Sequence, residues 1–307
     1  MFFKLNTAIL TLFFACILGA NGLAQQPNNI SEWTRIQSDD GNFSIEIPSG
    51  FNYFFDRKGA SERDADLKDF HLLNAYFDGT LISVELYEES QETLDRFIAD
   101  DSSKTLVKEV KKTLSKIKKD DISIRQIIQE TQDSYMIRQY FRSNKYVYIL
   151  TAASRKGETL AMRRFLDSLL IKEKAKNFPS SSVRSLSSLL VTPVNMNTES
   201  KNIKPASSDD EFKYGEKSTG RSFLLLSKPR PGYTDSARQK NVQGKILFRI
   251  EFSANGFIPK IEVIGGLPEG LLRKAIFAAL RMKFLPEENN GKPVSTEKVI
   301  GYSFTIY

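Results

Sequence analysis

The chain has 307 residues, of which 40% are hydrophobic and 26% charged, with one cysteine and one histidine. That length accommodates about two globular domains, and the scarcity of Cys and His excludes a disulfide framework, a Cys/His metal site and most nucleophile–base catalytic arrangements. The net charge of +7 is concentrated at one end: residues 221–307 carry 14 Lys+Arg against 7 Asp+Glu, and the remaining residues hold 30 of each.

The chain begins with Lys4, an apolar run from Leu5 to Leu18, and the small residues Gly22 and Ala24 before Gln25. This pattern predicts an export signal over residues 1–24, removed after Ala24. An uncleaved anchor over Leu5 to Ala24 is the alternative, since about 20 apolar residues just span a bilayer. A lipoprotein attached at Cys16 fits less well, because Ile17 and Leu18 continue the apolar run. Loss of Cys16 with the signal leaves no thiol in the remainder.

Residues 30–173 predict an α+β domain: an antiparallel sheet with covering helices. Trp33 to Ile36 and Phe43 to Pro48 flank Asp39-Asp40-Gly41-Asn42 and form a predicted hairpin, with Phe43, Ile45 and Ile47 on one face. Leu72 to Tyr76 and Leu81 to Tyr87 flank Asp78-Gly79, a second hairpin signal. Thr93 to Lys119 predicts a helix with an apolar stripe through Leu94, Phe97, Ile98, Leu106, Val110, Leu114 and Ile117, interruptible at Asp100 to Ser103. Its lysines, 108, 111, 112, 116, 118 and 119, form a basic face, either solvated or touching anionic lipid. Strands follow at Ile122 to Glu130, Ser134 to Arg142 and Lys145 to Ala152, and a helix at Thr159 to Leu170. Residues 174–222 are rich in Ser, Asn and Lys and predict a flexible linker, with Leu186, Leu189, Leu190 and Val191 a short apolar exception able to dock on a neighbour.

Residues 223–307 predict a compact two-helix, three-strand module. Tyr233 to Lys240 predicts a short helix. Gly244 to Phe252 alternates at Ile246, Phe248, Ile250 and Phe252 and predicts a strand. Asn255-Gly256 predicts a hairpin leading to a return strand at Ile258 to Ile264. Pro268 predicts a helix start, with the helix running from Glu269 to Lys283. Phe284-Leu285-Pro286 ends it, Asn290-Gly291 is a turn, and Val294 to Tyr307 is a last strand. Tyr302, Phe304 and Ile306 are expected to face the core together.

These elements, in this order, resemble the TonB C-terminal domain family. The resemblance covers residues 226–307. It is carried by Tyr233, Ala237 and Arg238, then Gln243-Gly244, Asn255-Gly256, the helix positions Leu271, Ala275, Ala278, Ala279 and Leu280, then Phe284 and Pro286, Asn290-Gly291-Lys292-Pro293-Val294, and Tyr302-Ser303-Phe304. This chain has Thr234 where the family usually has Pro, and Met282 where it usually has Trp. It has neither a histidine in Leu5 to Ala24 nor a long Pro-rich spacer, so coupling to an inner-membrane motor is not implied. Phe43 to Pro48 and Arg164 to Leu169 more loosely resemble the opening strand and closing helix of PsbP-like exported domains, which are non-catalytic and assist assembly.

The TonB-like resemblance implies a protein-binding role and no cofactor. A partner peptide would add as a strand along Val299, Ile300, Gly301, Tyr302, Ser303 and Phe304, chiefly through backbone bonds. The implied partner is an envelope or outer-membrane protein met in the periplasm, in TonB-type transport. The alternatives are a homodimer or a docking scaffold without energy transfer, and an inner-membrane-anchored form facing the periplasm. Membrane contact is expected only if the N-terminal segment is retained, and no nucleic-acid motif is present. No catalytic or metal site is expected: His71 stands alone, Ser295-x-x-Lys298 leads into a strand rather than a helical face, and the paired carboxylates are adjacent in loops.

Overall fold

A computed structural model of the chain describes residues 33–39, 43–57, 69–88, 94–99, 111–119, 122–143, 146–171, 183–197 and 220–306. The predicted signal over residues 1–24 lies outside them. Residues 32–307 form one compact unit.

In chain order the strands of the first half are β1 (Trp33–Gln37), β2 (Phe43–Pro48), β3 (Asn52–Arg57), β4 (Asp69–Phe77), β5 (Thr80–Glu88), β6 (Lys111–Lys119), β7 (Ile122–Glu130), β8 (Tyr135–Ser143), β9 (Tyr146–Ser154) and β10 (Leu170–Ile171). Helix α1 covers residues 94–99 and α2 is Leu160–Asp167. Seven strands make one antiparallel sheet in the order β3-β4-β5-β9-β8-β7-β6. The β4–β5 turn is built on Asp78 and Gly79, both at positive φ, as a two-residue hairpin of matching twist requires.

The seven-stranded sheet is covered on both faces, and β5 shows how. Ile82, Val84 and Leu86 join Ile36, Phe43, Ile45 and Ile47 of the β1–β2 hairpin, with Met162 and Phe165 of α2, in one core. Leu81 and Tyr87 point the other way, Tyr87 toward Leu94 and Ile98 of α1 and Leu81 toward Leu226 and Leu285 of the C-terminal module. Each large apolar side chain moved from water into such a core contributes about 1.5–3 kcal/mol. The period-two alternation therefore serves two cores rather than one core and solvent.

The expected helix over 93–119 is corrected. Among the described residues 94–99 is helical and Lys111–Lys119 is β6, paired along its whole length with β7, while 100–110 lie outside the described residues. The spacing of Leu114 and Ile117 fits a helix, but nine residues of antiparallel pairing override that local pattern.

The Ser-rich stretch is in part ordered structure. β11 (Val183–Ser185) pairs in parallel with β1, and β12 (Asn195–Asn197) pairs in parallel with residues Lys260–Gly265 of the C-terminal module. Between them a 3-10 turn at Leu186–Ser188 buries Leu186 in the first core. The Tyr53 N–H also donates to Thr192 Oγ1 at 3.1 Å. Residues 183–197 thus strap across both halves and are not a flexible coil.

The C-terminal module contains β13 (Leu224–Ser227), α3 (Asp235–Gln239), β14 (Gly244–Phe252), β15 (Lys260–Gly265), α4 (Leu271–Leu280), β16 (Lys283–Leu285), β17 (Glu287–Asn289), β18 (Lys292–Val294) and β19 (Thr296–Phe304). Beyond the expected two helices and three strands it adds the β13–β16 pair and the β17–β18 hairpin. The expected last strand begins later and is preceded by that hairpin. α4 starts at Leu271 after Gly270 at φ 77, so Pro268 lies before the helix and not in its first turn. Thr234 caps α3: its Oγ1 accepts from the Ala237 N–H at 3.1 Å and donates to the Glu269 carbonyl at 2.6 Å. Met282 fills the buried position expected of a tryptophan, as an unbranched thioether readily does.

Candidate functional site

The main sheet of the module runs β12-β15-β14-β19. Its two margins differ. β15 is covered by β12, a segment of the same chain. β19 pairs with β14 over nine residues, Thr296 opposite Phe252 to Phe304 opposite Gly244, and pairs with no other strand among the described residues. An open margin offers backbone donors and acceptors to an added strand.

Side chains of β19 alternate as a half-buried strand demands. Ile300, Tyr302 and Phe304 are buried in the core of the module with Phe248, Ile250 and Leu271. Glu297, Val299, Gly301 and Ser303 lie on the opposite face. Ile306 does not join the core: it is past the end of β19, is part-exposed, and its N–H donates to Gln243 Oε1.

The backbone alternates too. The carbonyl of Gly301 accepts from Lys228 Nζ at 2.6 Å, so it turns off the sheet margin rather than toward β14. In an antiparallel ladder both polar groups of a residue point the same way and neighbours alternate. The outward groups are therefore those of Glu297, Val299, Gly301 and Ser303, while Lys298, Ile300, Tyr302 and Phe304 bond β14. The Lys228 ammonium also lies 5.0 Å from the Tyr302 ring centroid. Burial pushes the Tyr302 hydroxyl far above its ordinary range, so it stays neutral. The six residues expected to form the site lie together on this strand, three offering outward backbone groups and three anchoring it.

The other motif residues hold the module's shape. The Tyr233 hydroxyl donates to the Val242 carbonyl at 3.1 Å, and its ring meets Phe304 edge-on. Gly244 opens β14 at φ 145, with Leu267 against the place a Cβ would take. Phe284 packs between Phe223 and Phe252. Asn290 and Gly291, both at positive φ, turn β17 into β18. Asn255 and Gly256 turn the chain after β14, and a Cβ on Gly256 would lie 2.9 Å from Leu81 and 3.3 Å from Tyr76 of the first half. The Pro286 carbonyl accepts from Arg155.

Those two contacts belong to a seam that composition alone does not reveal. Glu85 of β5 is buried between Arg281 at 3.0 Å and Lys283 at 2.9 Å, and the Tyr87 hydroxyl donates to it. Burial alone would raise the Glu85 carboxyl, but the charges of Lys283 and Arg281 and the Tyr87 donation outweigh that and hold it at about 2. Arg281 also lies over the rings of Tyr87 and Phe97. Nearby, Glu288 faces Arg221 and Arg155 and accepts from the Tyr76 hydroxyl. The one available sequence signal was Glu85 itself, a lone charge on the Leu81–Tyr87 face of an apolar strand.

His71 is buried, with Nδ1 2.8 Å from the Tyr53 hydroxyl and its ring stacked on Phe55. The described residues contain no group of three or more His, Cys, Asp or Glu able to hold a metal ion. None of their helices is long and apolar enough to cross a membrane.

Comparison with protein families matches residues 229–306 to the Gram-negative bacterial TonB protein C-terminal family. Among solved structures, the chain is similar to the cyanobacterial PsbP (CyanoP) of Synechocystis sp. PCC 6803. That likeness has 12% sequence identity, covers 50% of this chain and 98% of that chain, and has a TM-score of 0.30. No curated protein matches.

Proposed function

We propose that this chain is a non-enzymatic envelope protein whose C-terminal module binds a partner by accepting a strand along β19. The observation that carries the reading is the open β19 margin, with Val299, Gly301 and Ser303 directing backbone groups outward beside β14. The family match over residues 229–306 gives that margin its context. The partner is an envelope or outer-membrane protein, and the process is TonB-type transport across the outer membrane. The N-terminal segment over 1–24 directs export to the periplasm.

A second reading is favoured by the seam. The module is fixed to the first half by the Glu85–Arg281–Lys283 cluster and by the 183–197 strap. A module held in this way suits docking within an assembly, without energy transfer, better than reaching across a gap.

The test is capture of outer-membrane proteins by wild type and by Val299→Pro. Proline at 299 removes an outward donor while sparing the β14 ladder, since its N–H is not one that bonds β14. Loss of a defined outer-membrane protein at an unchanged melting temperature supports the reading. Equal capture by a folded variant overturns it.

A further inference from the structure

The β6 margin of the seven-stranded sheet has a different chemistry from the β19 margin. β6 pairs only with β7 among the described residues. Its nine residues contain five lysines and no acid, and Asp120 and Asp121, between β6 and β7, leave the excess positive. Lys116 and Lys118 are exposed. Leu114 is 55% exposed and Ile117 36% exposed, an unusual pair of apolar side chains for the rim of a sheet.

These two leave the rim on opposite faces. Leu114 is in register with Ile127 and Ile117 with Ile124. Ile127 packs in the core of Phe70 and Tyr87, and Ile124 in that of Phe43 and Phe165.

We propose that the β6 rim is a peripheral contact for an anionic lipid surface. A protein lying against one face of the sheet covers Leu114 or Ile117, not both. A headgroup layer entered edge-on takes up both at once. Lysine stems lie along apolar material while their ammonium groups meet lipid phosphates. The open backbone groups of the rim bar it from the hydrocarbon, so contact stays at headgroup depth, where those groups remain hydrated. A second copy paired antiparallel on β6 would set lysines against lysines and is disfavoured. Lysines on a sheet rim also discourage stray strand pairing, but that role does not call for an exposed leucine beside them. This inference is independent of the β19 reading.

The test uses the full chain in co-sedimentation with vesicles of phosphatidylcholine, with and without phosphatidylglycerol. The apolar N-terminal segment contributes alike to every variant and cancels in comparisons of the phosphatidylglycerol increment. Wild type is expected to bind the anionic vesicles at least ~10-fold more tightly than the neutral ones, with the increment collapsing at high salt. Lys116→Glu with Lys118→Glu is expected to abolish the increment, and Leu114→Ser to reduce it, each with an unchanged circular dichroism spectrum. Where the charge reversal fails to fold, Lys116→Gln with Lys118→Gln carries the same comparison. No increment in wild type, an increment untouched by folded lysine variants, or capture of acidic proteins in place of vesicles overturns the proposal.

Discussion

Lys283 Nζ and Glu85 Oε1 lie 2.9 Å apart, with their side chains 1% and 4% exposed, on residues almost 200 positions apart in sequence. The pair joins the strand after α4 to the centre of the seven-stranded sheet. Removing one member of such a pair strands its partners in a dry interior. Glu85→Gln keeps the shape and removes the charge that Lys283 faces in the interior, a loss of about 3–5 kcal/mol. Urea unfolding of wild type and variant measures it. A double-mutant cycle with Lys283→Met is expected to show strong coupling between the two positions.

The same carboxyl makes stability fall in acid. Glu85 sits at about 2 in the folded protein against 4.5 for an unperturbed glutamate. A depressed carboxylate stabilises fully above its unfolded value and loses that contribution as pH falls through the folded one. The contribution is of order 3 kcal/mol and disappears between about pH 4.5 and pH 2. Wild type minus Glu85→Gln, measured as unfolding free energy along that range, is expected to shrink steadily.

Two glycines at nearly the same φ separate backbone strain from crowding. Gly256, at φ +76, has Leu81 2.9 Å and Tyr76 3.3 Å from the position of an added Cβ. Gly291, at φ +75, has nothing within 4 Å. Alanine at 291 is expected to cost the left-handed penalty of ~1–2 kcal/mol. Alanine at 256 is expected to cost more, because the β14–β15 turn must also lift from the first half. Paired melting curves of the two variants decide this.

What the sequence made legible follows from how local each signal is. Asp78-Gly79, Asn255-Gly256 and Asn290-Gly291 announce turns because positive φ is a property of one or two residues. The alternation of Ile246, Phe248, Ile250 and Phe252 marks the face of β14 that enters the module's core. β6 carries a helical pattern because its lysines and spaced apolar residues obey a helical period, while the β7 pairing that decides its shape lies in another segment. The seam was hidden for the same reason: nothing near Glu85 in sequence announces Arg281. Of the strap, the apolar Leu186 and Leu189 mark a docking point, but Asn195 and Met196 have no strand pattern of their own and are held by β15. Even on β19 the alternation marks the strand but not which of its amides face outward, and it is the Lys228 contact with the Gly301 carbonyl that distinguishes Val299 from Ile300.

Thr234 gives a local check on the first helix of the module. Its hydroxyl both caps α3 and ties it to the Glu269 carbonyl. Thr234→Ala removes both bonds and is expected to cost ~1–2 kcal/mol. Thr234→Ser keeps both and is expected to restore most of the loss in thermal unfolding.

The parity of β19 can be measured without any partner. Amides of Lys298, Ile300 and Tyr302 bond β14 and are expected to be protected in native-state hydrogen exchange, while those of Val299, Gly301 and Ser303 exchange quickly. Protection on the odd residues would mean that the margin is already covered. Lys228 tests the same margin from the acceptor side. Its ammonium occupies the Gly301 carbonyl, which an arriving strand would need. Lys228→Met keeps an apolar stem over Tyr302 but frees that carbonyl, at a cost in stability of only ~1 kcal/mol because water can replace the lost donor. If strands add along β19, the freed acceptor is expected to strengthen capture of the outer-membrane partner, whereas Val299→Pro weakens it. Opposite changes from two residues on one margin, at matched melting temperatures, are a result that a purely structural role for either does not produce.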